Sequence, residues 1–335
     1  MGNKGKQTIV FEQQPKIIAT YSSVGPKEGQ GPLGDCFHNV LKDELVGEST
    51  WEKAEAIIIK QTVQGLLDTS GKKVSDIDYI CSGDLQNQIN ATQSGVKGFN
   101  IPFLGLYGAC STMGEALSVG SILISAGYAK NVIAGASSHY CTAEKQFRFP
   151  LEYGGQRTLT QQWTVTGSGF AMLSQTGDGP IVNSITTGKI VDFETKDVFN
   201  MGAIMAPAAV DTILTHLEDT HQKPEDYDLI ITGDLGECGI AIANDLAKEL
   251  GVDLSKVLSD CGCLIYDNEV QDTHSGGSGC GCSAAVFCGH LYPKLKMGAL
   301  KKILLVPTGA LMSLCSTQQG DSINGIAHAV SISAQ

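Results

Sequence analysis

The sequence repeats itself at long range, and this constrains its fold more than any other feature. Asp78-Tyr-Ile-Cys-Ser-Gly-Asp84-Leu85 returns as Asp228-Leu-Ile-Ile-Thr-Gly-Asp234-Leu235. Gly127-Tyr-Ala-Lys-Asn-Val-Ile-Ala-Gly135 returns as Gly298-Ala-Leu-Lys-Lys-Ile-Leu-Leu-Val306, and Gly169-Phe-Ala-Met-Leu-Ser174 as Gly325-Ile-Ala-His-Ala-Val-Ser331. The order is the same in both halves, and the drift in spacing needs only loop insertions, which surface connections tolerate. We therefore expect two like units, residues 1–180 and 181–335, with the join falling near 176–190.

Each unit reads as alternating strand and helix. Residues 79–82, 132–136 and 170–174 are short apolar runs bounded by Gly, Asp or Ser, the pattern of strands buried on both faces. Residues 51–67 place Ala54, Ile57, Ile58, Gln61 and Leu66 at helical spacing before Gly71. Residues 110–126 are apolar nearly all round, which suits an interior helix, and residues 283–296 are its counterpart. The fold class is α/β, with a buried central helix from each half between layers of sheet.

Charge and composition narrow the function. The balance of 23 Lys and Arg against 35 Asp and Glu gives −12, against a nucleic-acid binder that works by neutralising phosphates. Charged residues make up only 17% and Gly numbers 40 among 335 residues, as expected of a packed, tightly turned fold. The eleven cysteines are odd in number and many lie in apolar runs, and the first fifteen residues contain no apolar signal core. Together these point to a reducing, intracellular compartment. No segment reaches the ~20 apolar residues that span a bilayer, and Lys6 stands where a myristoylation motif needs Ser or Thr.

One motif invites chemistry. Gly108-Ala109-Cys110-Ser111 opens the apolar helix, and a helix N-terminus is expected to lower the pKa of the Cys110 thiol. In a duplicated chain this motif resembles the thiolase and β-ketoacyl synthase superfamily, whose acylated Cys would be Cys110. That resemblance implies a layered α-β-α-β-α fold and a homodimer. The chain departs from the pattern where the superfamily places its bases. Gly233-Asp234-Leu235-Gly236 replaces the synthase His at a strand end. Thr273-His274-Ser275-Gly276-Gly277-Ser278-Gly279 lacks the thiolase Gly-His-Pro order, and His290 is followed by Leu291. Without a placed base, acyl transfer loses ~10²–10⁴-fold, so a binding protein on an enzyme fold is expected, with an active condensing enzyme using Cys110 as the alternative. Asp84 and Asp234 are read as turn or helix caps. Cysteines 261, 263, 280, 282 and 288 have spacings too short for zinc knuckles, and neither metal nor cofactor is expected.

A narrower resemblance rests on Glu144-Lys-Gln-Phe-Arg148-Phe-Pro150, Gln162-Trp163-Thr164, Asn200-Met-Gly-Ala-Ile-Met-Ala-Pro207 and Ile326-Ala-His-Ala-Val-Ser331, which look like the stage V sporulation protein AD family. It implies binding, without turnover, of dipicolinic acid (pyridine-2,6-dicarboxylate) or its calcium chelate for uptake into the developing spore. It also implies peripheral attachment to the spore inner membrane through membrane proteins of the same operon. For such a ligand, Arg148 and Arg157, the two arginines of the chain, offer forked donors, with Phe147, Phe149, Tyr153 and Trp163 nearby to stack on a ring. His139, His274, Cys110 at its helix N-terminus, and backbone N–H groups at Gly276, Gly277 and Gly279 complete the candidate site.

Overall fold

Apolar runs flanked by turn residues become the interior of one continuous sheet in the computed structural model, which describes residues 2–147 and 157–335. Ten strands form its spine: β1 (Lys16–Val24), β2 (Tyr79–Gly83), β3 (Phe103–Gly105), β4 (Asn131–Ser138), β5 (Gly167–Ser174), β6 (Ile181–Thr187), β7 (Leu229–Thr232), β8 (Leu258–Asp260), β9 (Lys302–Val306) and β10 (Asn324–Ser333). Their order across the sheet is β8-β7-β9-β10-β6-β1-β5-β4-β2-β3. Reading outward from the middle, each half runs through the same sequence of parallel and antiparallel neighbours: β1-β5-β4-β2-β3 on one side, β6-β10-β9-β7-β8 on the other. The three sequence echoes fall on β2 and β7, β4 and β9, β5 and β10. The halves meet in the sheet along β6, which pairs with β1 at Ile181 and Lys16 and with a short added first-half strand at residues 8–10 through Ser184, Ile185 and Thr186.

Helices cover the sheet in layers. The interior pair is α2 (Thr112–Ser125) and α6 (Cys280–Val286); α2 packs against β4 and β2 of its own half and β10 of the other, while α6 lies on β5 and β4. The outer layers include α1 (Trp51–Ser70) on β1 and β5, and α4 (Met201–Thr220) over β10, with α5 (Gly236–Glu249) packed on α4 and β8. The Thr50 side chain caps α1 by accepting from Lys53 N, and Gly71 ends it at φ 66°, a left-handed turn that Gly adopts without strain. The short α3 (Tyr140–Phe147) follows β4.

The second interior helix differs from the expected residues 283–296. It starts at Cys280, passes into a π turn at Phe287–Leu291, and resumes at Tyr292–Lys296. Pro293 has no N–H for the carbonyl four residues back, so the bonding register changes there. His290 lies in that turn with its Nδ1 3.5 Å from Cys36 Sγ of the first half, and it does not line the cavity that holds Cys110.

Candidate functional site

The site forms where the turn before α2 meets the second half. Ala109 is held at φ 49°, an unusual conformation for a residue with a Cβ. Ser111 Oγ and Thr112 Oγ1 fix the turn by donating to the carbonyls of Gly108 and Ala109, each at 2.7 Å. Gly309 of the second half comes so close that a Cβ there would lie 2.4 Å from the Gly108 carbonyl, so only glycine permits this contact. Cys110 is thereby aimed into a cavity of about 50 Å³ lined by Leu85, Phe147, Met201, Met205 and Met312, with Thr164 and Ser278 as its polar walls. An outer groove of about 580 Å³ shares Phe147 and Met312 with the cavity and adds Tyr107, Gln146 and Ser313.

Beside Cys110 lies Asp234, fully buried. Its carboxyl group accepts from Thr308 Oγ1 at 2.8 Å, Gly279 N at 2.9 Å and Ser278 Oγ at 3.1 Å, and it lies close enough to the Cys110 thiol to bear on its ionisation. Burial pushes its pKa up to about 7 against the opposing pull of these hydrogen bonds. The Cys110 thiol is pushed well above its ordinary value, first by burial and then by the charges of Asp234 and Cys280. Burial and the neighbouring acid act against the lowering expected from the helix N-terminus.

Asp84 and Asp234 diverge although they occupy equivalent turns. Asp84 is the expected cap, accepting from Gln86 N and Thr92 N, each at 2.7 Å. Asp234 is no cap. In the second half Asp260 takes that work, accepting from Leu235 N at 2.8 Å, Gly236 N at 2.9 Å and Cys263 N at 3.2 Å, which leaves the Asp234 carboxyl free to turn toward Cys110.

The remaining sequence candidates are not gathered around Cys110. His139 is buried with Nε2 2.9 Å from the Glu44 carbonyl and Nδ1 accepting from Cys141 N, off the cavity wall. Arg157 pairs with Asp272, and its guanidinium lies 5.1 Å from the centre of the Trp163 ring. His274 is drawn to the same place, its Nδ1 2.7 Å from the Thr158 carbonyl and its Nε2 3.1 Å from Asp272. Trp163 is sandwiched, with Tyr140 stacked at 3.8 Å and Lys27 Nζ at 4.3 Å. Two of the glycine-loop N–H groups expected to face a ligand have internal acceptors: Gly276 donates to the Thr273 carbonyl and Gly279 to Asp234. Gly277 pairs in register with Trp163 in a short parallel ladder that ties residues 163–164 to 277–278. Gln162 braces it, donating to the carbonyls of Asp234 and Gly277. Arg148, Phe149 and Tyr153 lie outside the described residues.

Sequence reasoning missed two buried acids. Glu28 accepts from Thr166 N at 2.9 Å and from Tyr266, and burial lifts it to about 7. Glu55 on α1 accepts from Gln86 Nε2 at 2.7 Å and Thr142 Oγ1 at 2.9 Å, and burial with the nearby Asp84 raises it as well. Nothing local marks either residue: Glu28 sits on a single helical turn and Glu55 on the first turns of the twenty-residue α1, where an acid reads as solvent-facing.

A duplicated α/β frame with an interior helix from each half is the fold of the condensing enzymes. Solved structures agree: 3-oxoacyl-[acyl-carrier-protein] synthase III from Aquifex aeolicus VF5 superposes with a TM-score of 0.56 at 14% identity, covering 95% of this chain and 99% of that one. The tetronic acid condensing enzyme AbyA1 gives 0.61 at 14%, covering 95% and 99%. Within that class, the profile of the Stage V sporulation protein AD family matches residues 5–333. The Stage V sporulation protein AD of Bacillus subtilis (strain 168) is 43% identical over 326 residues, 97% of this chain and 96% of that one. The chain belongs to the Stage V sporulation protein AD family.

Proposed function

We propose that the protein binds dipicolinic acid without transforming it and serves its uptake into the developing spore. The observation that carries the non-catalytic part is the contact between Cys110 and Asp234: an acid in place of an imidazole, beside a thiol whose pKa is raised rather than lowered. A nucleophile in that setting is scarce as thiolate at neutral pH. Family membership supports the sporulation role. The ligand's size favours the outer groove, because the inner cavity, at about 50 Å³, holds roughly three or four waters, whereas Phe147 offers a ring face within about 580 Å³.

Attachment to membrane proteins and self-association belong to the same proposal. No helix among the described residues is long and apolar enough to cross a membrane. The sheet ends at β3, an uncovered edge with Leu104 38% exposed, which supports pairing of two copies. Calorimetry with pyridine-2,6-dicarboxylate, and pyridine-2-carboxylate as control, tests the ligand. Saturable binding of the diacid alone is expected, and equal or absent binding of both defeats the reading. A second reading, acyl transfer through Cys110, is favoured by the strained Ala109 turn that aims the thiol into an apolar cavity. A thioester on Cys110 after incubation with acyl-CoA, absent in Cys110→Ala, would establish it.

A further inference from the structure

Helices α4 and α5 and the segment around Val191 and Phe193 enclose another groove, of about 350 Å³, which shares no lining residue with the Cys110 cavity. Its floor is apolar: Pro207, Val210 and Leu214 from α4, and Leu246 from α5. Its lips are Phe193 and Leu250, 59% and 65% exposed. Its rim is acidic. Asp211 and Glu218 of α4 line it, and α4 contains no Lys or Arg; along its length α5 carries Glu237, Asp245 and Glu249 against Lys248. Across residues 189–250 the chain places thirteen of its 35 acids but four of its 23 basic residues. The rim already accepts an ammonium group, for Lys189 Nζ lies 2.8 Å from Asp211 Oδ1, while Asp211 Oδ2 is buried with no hydrogen-bond partner.

We propose that this groove docks a basic amphipathic helix of a partner protein. The apolar floor has room for about two or three anchoring side chains at i, i+4 and i+7 spacing, and the acidic rim complements Lys or Arg on the flanks of such a helix. The same charge argues against the other occupants. A second copy would bring one acidic rim against another, and an anionic lipid surface would be repelled.

The test uses the full chain and a synthetic eighteen-residue helix carrying Leu along one face and Lys along the flanks. A Glu-for-Lys version, a scrambled version of identical composition and vesicles of anionic lipid serve as comparators. Saturable binding of the Lys peptide alone is expected, weakened about tenfold in Phe193→Ser/Leu250→Ser and again in Asp211→Asn/Glu218→Gln, with new hydrogen-exchange protection in α4 and α5. Phe193, Leu250 and Glu218 are at the surface, so thermal melts of the Phe193→Ser/Leu250→Ser variant and of Glu218→Gln alone should match the parent, and Glu218→Gln reads the rim charge without disturbing the partly buried Asp211 pair with Lys189. Equal binding of the scrambled peptide, unchanged affinity in both double variants, vesicle binding, or concentration-dependent self-association lost in the Phe193/Leu250 variant would each overturn the proposal.

Discussion

The Asp234 carboxyl of the second half lies beside the Cys110 thiol of the first, across the joint between the two repeats, so that the charge of one bears on the other. The charge of Asp234 holds thiolate formation back, and removing it has a readable effect. In Asp234→Asn the Cys110 pKa should fall, although burial keeps it above an ordinary cysteine. Alkylation of Cys110 by iodoacetamide at pH 8, followed by peptide mass spectrometry, should run severalfold faster than in the parent. An unchanged rate would mean that burial alone sets the thiol's reactivity.

Glu28 and Asp234 have pKa values raised by burial to about 7. Their folded-state values lie above the unfolded ones, so the folded protein holds more protons. The associated stability is fully present below pH ~4 and lost as pH rises through about 7, at up to ~1.4 kcal/mol per pH unit for each group. Melting temperature should therefore decline between pH 5 and 8, and Glu28→Gln should flatten that slope. A slope identical to the parent's would remove Glu28 from the account.

His216 contributes on the acid side. It is buried between Thr186 Oγ1 and the Tyr227 hydroxyl, each 2.7 Å away, and burial lowers its pKa to about 4. Here the unfolded chain takes up the extra proton, so this stability is present above pH ~6.5 and lost as pH falls toward 4. His216→Gln should be less stable at pH 7 by roughly 1–3 kcal/mol but lose less on acidification, as denaturant titrations at pH 7 and 5 would register.

Gly279 sits at φ 95°, and a Cβ there would come 2.6 Å from Ser138 Oγ. Gly279→Ala should cost roughly 1–3 kcal/mol for the backbone conformation alone, and it should loosen the N–H held by Asp234. Soluble yield and urea midpoint are the measurements; a midpoint equal to the parent's would show that the loop relaxes freely.

Much of the frame was legible because strands buried on both faces must be apolar throughout, and that signature survives duplication: β2, β4 and β5 announce β7, β9 and β10. The position of Cys110 was legible for the same reason, standing at the start of a helix with no polar face. What surrounds it was not. Thr308 and Ser278 reach Asp234 from 74 and 44 residues away, a proximity that no local period encodes. Nor does the sequence reveal that Asp272 gathers Arg157 and His274, or that the Glu44 carbonyl holds His139. Those choices belong to loops whose partners are fixed only when the sheet closes.

The division of roles between Asp84, Asp234 and Asp260 sets the two halves apart. Asp84 closes its own turn, whereas in the second half Asp260 closes the equivalent turn and Asp234 is given over to the shared interior. The halves have thereby become specialists that cannot stand in for each other. A protein assembled from two first halves would keep both turns and lose the acid beneath the thiol, and one assembled from two second halves would keep two such acids and have no Cys110 for them to meet.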